Sequence, residues 1–193
     1  MTHSDCRCVI CHDYGDRAEM RPADQRLVAK VGRRGWAVLG IPEDDGAGSW
    51  AFTVGLWHSY RVPEVALFGL PTQECVTLLE LVGDQVAAGA RLEPGQLLAD
   101  VLAGDYRVTL RPIADSWHRT FFGAALRFYR DTPDWSILHC VWPDRSHLFP
   151  GDPDFDPSLA GRQPQLLTPP EEHPKGVWAD YHAEWVEWSR END

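Results

Sequence analysis

Three cysteines fall within six residues near the start of the chain, at Cys6, Cys8 and Cys11, with His12 directly after. If sulfurs this close share one ion, the backbone between them must fold into a tight knuckle. No other segment constrains its surroundings as strongly. Thiolate is a soft ligand that suits zinc, and a closed structural site needs four nitrogen or sulfur donors. The cysteines supply three. His12, or alternatively His3, offers the fourth, and a donor from far along the chain or from a partner chain is also open. The Cys-x-x-Cys step from Cys8 to Cys11 aims two sulfurs at one point. The Cys-x-Cys step from Cys6 to Cys8 is less usual, and no second Cys-x-x-Cys follows to complete a zinc ribbon. The cluster predicts a structural zinc site; the alternatives are a thiol redox or metal-sensing switch, and plain free cysteines.

Charge and hydropathy narrow the partners. With 18 basic residues, dispersed along the chain, and a formal net charge of −11, the surface opposes a phosphate backbone, so nucleic acid is excluded as a partner. Apolar stretches such as Val65 to Leu70 are far too short to cross a bilayer, and Met1-Thr2-His3-Ser4-Asp5 lacks the basic and then apolar signature of a signal segment. The expectation is a cytoplasmic protein away from the membrane. In a reducing compartment, closely spaced cysteines are metal ligands or working thiols rather than a disulfide.

The 193 residues, 44% hydrophobic and 24% charged, suit one globular domain. Apolar spacing predicts a helix over Pro22 to Arg34, ended by Gly35, then strands over Trp36 to Ile41, Trp50 to Leu56 and Glu64 to Leu70. A turn at Pro42 to Gly46 and a loop at His58 to Pro63 separate them. Cys75, Leu78, Leu79, Val82 and Val86 recur at helical spacing over Thr72 to Ala88. Tyr106 to Ile113 alternates as a strand, Ser116 to Tyr129 suits a helix, and Trp135 to Trp142 reads as a buried strand. This order, without a regular βαβ rhythm, predicts an α+β fold in which a mixed, mostly antiparallel sheet packs with helices. Residues 1–21 form the cysteine-rich segment, 22–168 the core domain, and 169–193 a proline-containing linker and a final amphipathic helix. In that helix, over Val177 to Arg190, Trp178, Tyr181, Trp185 and Trp188 make one aromatic stripe, for docking on the core or for a partner. Nine tryptophans in all raise the prospect of an aromatic binding surface.

The motifs Trp50-Ala51-Phe52-Thr53-Val54-Gly55-Leu56, Pro63-Glu64, Gly69-Leu70-Pro71, Gly89, Val141-Trp142-Pro143-Asp144, Phe149-Pro150 and Gln163-Pro164 together resemble a bacterial domain-of-unknown-function family, number 4262, common in actinobacteria. The resemblance spans about residues 25 to 168 and implies that an N-terminal cysteine motif is typical. It carries no established activity, so no catalytic residue is transferred. Members often have tryptophan after the Phe-Pro pair, where this chain has Gly151.

Read for chemistry, His58, Glu64, His139 and Asp144, with Cys140 and His118 as additions, offer imidazoles and carboxylates for an acid and base pair or a hard metal site. The bland reading is equally concrete: Glu64 satisfies backbone donors at a strand start, and Asp144 caps its own turn. Cys75 and Cys140 read as small buried hydrophobes. No nucleophile elbow, phosphate loop, dinucleotide fingerprint or His-Glu-x-x-His helix is present. The run Asp152 to Asp156 lacks the glycine and terminal glutamate of a calcium loop. The expected function is a non-catalytic binding module for a protein or small-molecule ligand, with a structural zinc at Cys6, Cys8 and Cys11. The alternatives are a small enzyme on the histidine and carboxylate set, or the thiol switch.

Overall fold

The computed structural model describes residues 6–43 and 48–192. Helix α1 (Pro22–Arg34) starts on a proline, whose missing N–H has no helical partner to lose, and ends where Gly35 turns left-handed and returns its N–H to Val31. Strands β1 (Ala37–Ile41), β2 (Trp50–Val54) and β3 (Glu64–Phe68) follow, with the short helix α2 (Leu56–Tyr60) between the last two. Next come α3 (Thr72–Ala87), β4 (Leu97–Leu98), β5 (Val108–Pro112), α4 (His118–Phe121), α5 (Gly123–Tyr129), β6 (Ile137–Val141) and α6 (Val177–Asn192).

The strands form one sheet in the order β1-β2-β3-β6-β5-β4. Among the described residues only the β3–β6 pair is parallel, so the sheet is mixed and mostly antiparallel, in keeping with the α+β reading. Every residue of β2, β3 and β6 is buried, because both faces of the sheet are covered. On one face Ala51, Val65, Leu67, Leu110, Leu138 and Cys140 meet Cys75, Leu79, Val82 and Val86 of α3. The helix comes close enough that a Cβ on Gly83 would lie 2.2 Å from Trp36 Nε1. On the other face Trp50, Phe52, Phe68 and Ile137 meet α1, α4 and α5, Trp178 of α6, and Cys6, Cys8 and Val9. Among the described residues no helix is long and apolar enough to cross a membrane.

Several expected elements take a different form. The strand from Trp50 stops at Val54, and part of the expected loop at His58 is helical, because Gly55 at φ 113° turns the chain into α2. A side chain there would not fit, since its Cβ would lie 2.7 Å from the Gly35 carbonyl. The expected helix Ser116 to Tyr129 is broken at Phe122 into α4 and α5. The break lets two consecutive rings, Phe121 and Phe122, both enter the core, which one uninterrupted helix would turn about 100° apart. Strand β4, two residues long, carries no periodicity to read. The aromatic stripe of α6 docks only in part: Trp178 is buried and Tyr181 stacks on Phe121, while Trp188 is 61% exposed. The acidic run at Asp152 is a loop whose carboxylates cap backbone, Asp152 on Phe149 and Asp156 on Ser158.

A cysteine and histidine cluster as candidate metal centre

The N-terminal knuckle is docked by its backbone. Val9 donates to the Phe128 carbonyl at 3.0 Å and Arg7 to the Thr132 hydroxyl at 3.0 Å. Inside the knuckle the His12 N–H returns to the Cys8 carbonyl at 2.9 Å, closing the turn that points the sulfurs one way. They point at His58. Its Nδ1 lies 3.3 Å from Cys8 Sγ, 3.3 Å from Cys11 Sγ and 3.8 Å from Cys6 Sγ. All four donor atoms fall within 4.8 Å of one another, a grouping that could hold a metal ion. Hydrogen bonding does not account for it, because a neutral imidazole nitrogen offers one lone pair and three thiols crowd it.

Thus the nitrogen that joins the sulfurs comes from 47 residues beyond Cys11. His12, expected in that role, is exposed and packs edge-on against Tyr14, and His3 lies outside the described residues. No local signal points to His58: the knuckle announces that a fourth donor is needed and says nothing of where it lies.

Glu64 explains why His58 is there. Its carboxylate is fully buried and accepts from the amides of Gly55 at 2.9 Å and Trp57 at 3.0 Å, from the Thr53 hydroxyl at 2.5 Å, and from the Tyr129 hydroxyl. The two amides open α2, so the carboxylate satisfies the helix start that carries His58. One anion therefore ties β2, β3, α2 and α5 together beneath the cluster. Burial pushes the Glu64 pKa up, while the four donors favour its charged form; burial and then the Glu64 charge drive the Tyr129 hydroxyl well above its ordinary value.

Arg61, at the end of α2, donates to the Trp57 carbonyl at 2.7 Å and lies against Cys6. Burial would raise the Cys6 thiol, yet hydrogen bonds from the Cys8 backbone and thiol, Arg61 and Cys11 bring it below the usual value. Burial, with the Cys6 charge beside it, pushes Cys11 up; Cys8 rises as well, mainly through burial. The three sulfurs are thus electrostatically unlike, with one guanidinium beside them.

The remaining candidates stand apart. Glu64 and Ile137 are register partners at the starts of the parallel central strands β3 and β6, so His58 and Glu64 lie at one end of these strands. Asp144 follows the far end of β6, across a strand of about 17 Å. There its carboxylate staples a loop, accepting from Ser146, Leu148 and Asp156 at 2.8 to 3.0 Å. Burial opposes its charge, but these backbone donors hold its pKa below the ordinary range. His139 sits mid-strand against Phe68, its pKa lowered to about 3 by burial and then by Arg111. The four candidates are not brought into one pocket. His118 is buried in α4 and stacked on Trp135, with its pKa lowered by burial. Burial raises the Cys75 thiol to about 11 and the Cys140 thiol to about 12, as for sulfur used as a small hydrophobe.

Compared with known proteins, residues 30–156 match the family described as Domain of unknown function (DUF4262). No curated protein and no solved structure matches the chain.

Proposed function

The chain belongs to the DUF4262 family, and from that premise we propose that it is a non-catalytic binding module whose N-terminal segment is clamped to the sheet by a structural zinc ion on Cys6, Cys8, Cys11 and His58. The observation that carries this reading is the convergence of three sulfurs on one imidazole nitrogen at 3.3 to 3.8 Å. Tetrahedral zinc, with bonds of about 2.3 Å to sulfur and about 2.0 Å to nitrogen, places sulfur and nitrogen about 3.5 Å apart. Soft thiolates with one imidazole select zinc, and four protein donors leave no open position for a substrate. Three thiolates and a neutral imidazole around a divalent ion carry one net negative charge, which the Arg61 guanidinium beside Cys6 offsets. The separation of His139 and Asp144 from His58 and Glu64 supports the non-catalytic reading over an enzyme built on those four. A site of thiolates suits a reducing compartment, in keeping with a cytoplasmic protein.

Elemental analysis of the purified full chain tests this. The expected result is one zinc per chain, lost in Cys8→Ser and in His58→Ala and kept in His12→Ala. Cobalt exchanged into the site should show thiolate-to-metal absorption with tetrahedral ligand-field bands. A protein that takes up neither metal, and whose Cys6 is instead rapidly alkylated, would favour the thiol switch and sink the clamp.

A further inference from the structure

We infer that the cavity between the β5–β6 pair and the strap of residues 163–168 binds a small monocarboxylic acid, its carboxylate held by Arg111 and His139 and its apolar body held by the walls. Arg111 and His139 are register partners on adjacent antiparallel strands, so their side chains stand side by side on the same face. Both line a cavity of about 270 Å3, with Pro112, Val141, Pro150 and Leu166. His139 is 3% exposed, and its Nε2 is buried with no hydrogen-bond partner among the described residues. A buried ring nitrogen left unpaired has lost its water without compensation, which marks a place for a ligand atom. Arg111 spends one nitrogen on the Pro150 carbonyl at 3.0 Å and has no carboxylate partner among the described residues.

The cavity is preformed, because its lid is pinned at three points. The Gln163 side chain exchanges hydrogen bonds with the backbone of Trp142 at 3.1 and 2.9 Å, as a neighbouring strand would. The Leu166 carbonyl accepts from Ala114 at 2.8 Å, and the Thr168 carbonyl accepts from Trp117 Nε1 at 2.8 Å. Leu166 of the strap is buried in the core beside Ile137, so the strap is anchored by packing as well as by hydrogen bonds.

The chemistry selects the ligand. One guanidinium matches one negative charge, and a neutral imidazole adds a donor without adding charge, so a phosphate dianion would be undercompensated and a cation repelled. His139 is neutral at physiological pH, since burial and Arg111 hold its pKa at about 3. At roughly 30 Å3 per water, the volume suits a molecule with on the order of ten non-hydrogen atoms. This site gives the binding module a ligand but does not depend on the zinc clamp: loss of one reading leaves the other standing.

Benzoate and its neutral isostere benzamide, titrated into the metal-replete full chain, separate charge from shape. Calorimetry should give benzoate a Kd of about 1 mM or tighter, and benzamide one at least about tenfold weaker. Benzoate should also move the His139 ring resonances in a histidine-labelled sample. Arg111→Gln should weaken benzoate at least about tenfold, with Arg111→Lys recovering part of the loss. Equal binding of the two probes, unmoved His139 resonances, or undiminished affinity in Arg111→Gln would overturn the proposal. If Arg111→Gln does not fold, the two probes on the unaltered protein decide it alone.

Discussion

The two faces of the sheet are covered in different ways. One is covered mainly by a single continuous helix, α3, whose Leu79, Val82 and Val86 meet Val65, Leu67 and Leu110 in a largely aliphatic layer that Leu56, Val62, Leu92 and Val101 complete. The other is roofed by pieces drawn from the whole chain: the cysteine knuckle, α1, α4, α5, the strap and the first turns of α6, joined largely by aromatic rings. A single amphipathic helix can match a sheet along its length and leave little room for anything else. A roof of pieces has seams, and the seams hold the chemistry. The sulfur and imidazole cluster sits where the knuckle meets α2, Glu64 where α2 meets α5, and the Arg111 and His139 cavity where the helices give way to the strap.

Glu64→Ala should have the largest effect, because it strands two amides and two hydroxyls in the interior; we expect a loss of about 3–5 kcal/mol in urea unfolding, together with loss of bound metal as α2 is released. A loss below about 1 kcal/mol would show that the seam has no such keystone. Leu79→Ala, on the aliphatic face, should cost about 2–4 kcal/mol through the cavity it leaves and yet retain full metal content. Metal loss in that variant would erase the distinction between the faces.

With a folded pKa of about 3, His139 refuses a proton that the unfolded chain accepts near pH 6.5. Its contribution is therefore absent above that pH and grows as a penalty on the folded state as pH falls, reaching about 2 kcal/mol at pH 5. Unfolding followed from pH 7 to pH 5 should show a steeper decline for the native protein than for His139→Gln. Parallel curves would place the acid response elsewhere.

Much of the architecture is legible in the amino-acid sequence. The Pro22 start and Gly35 stop of α1, the apolar spacing of α3 and the buried strand β6 are written in the local sequence, and the α+β class follows from the order of the elements. The short α2 is hidden, since five residues hold too little periodicity and its start depends on a carboxylate that comes later in the chain. The break at Phe122 reflects the demand of two rings for one core, which no window of sequence expresses. The sulfurs of the candidate site are plain and its nitrogen is not. His58 stands out as a titratable group in a loop, but its neighbourhood with Cys8 is a property of folding and leaves no mark in spacing. Glu64 reads as an acceptor for backbone donors, and the structure places those donors at the start of α2.

The tie made by Glu64 also has a consequence for how the molecule is made. The cysteines leave the ribosome before the imidazole they converge on, and well before the Phe128 carbonyl and Tyr129 hydroxyl that hold the knuckle and its helix. During synthesis three thiols therefore wait in the open while the sheet and its helices are translated. A nascent chain stalled before residue 128 would lack the carbonyl that docks the knuckle and would present its thiols, unguarded, to any metal or oxidant nearby.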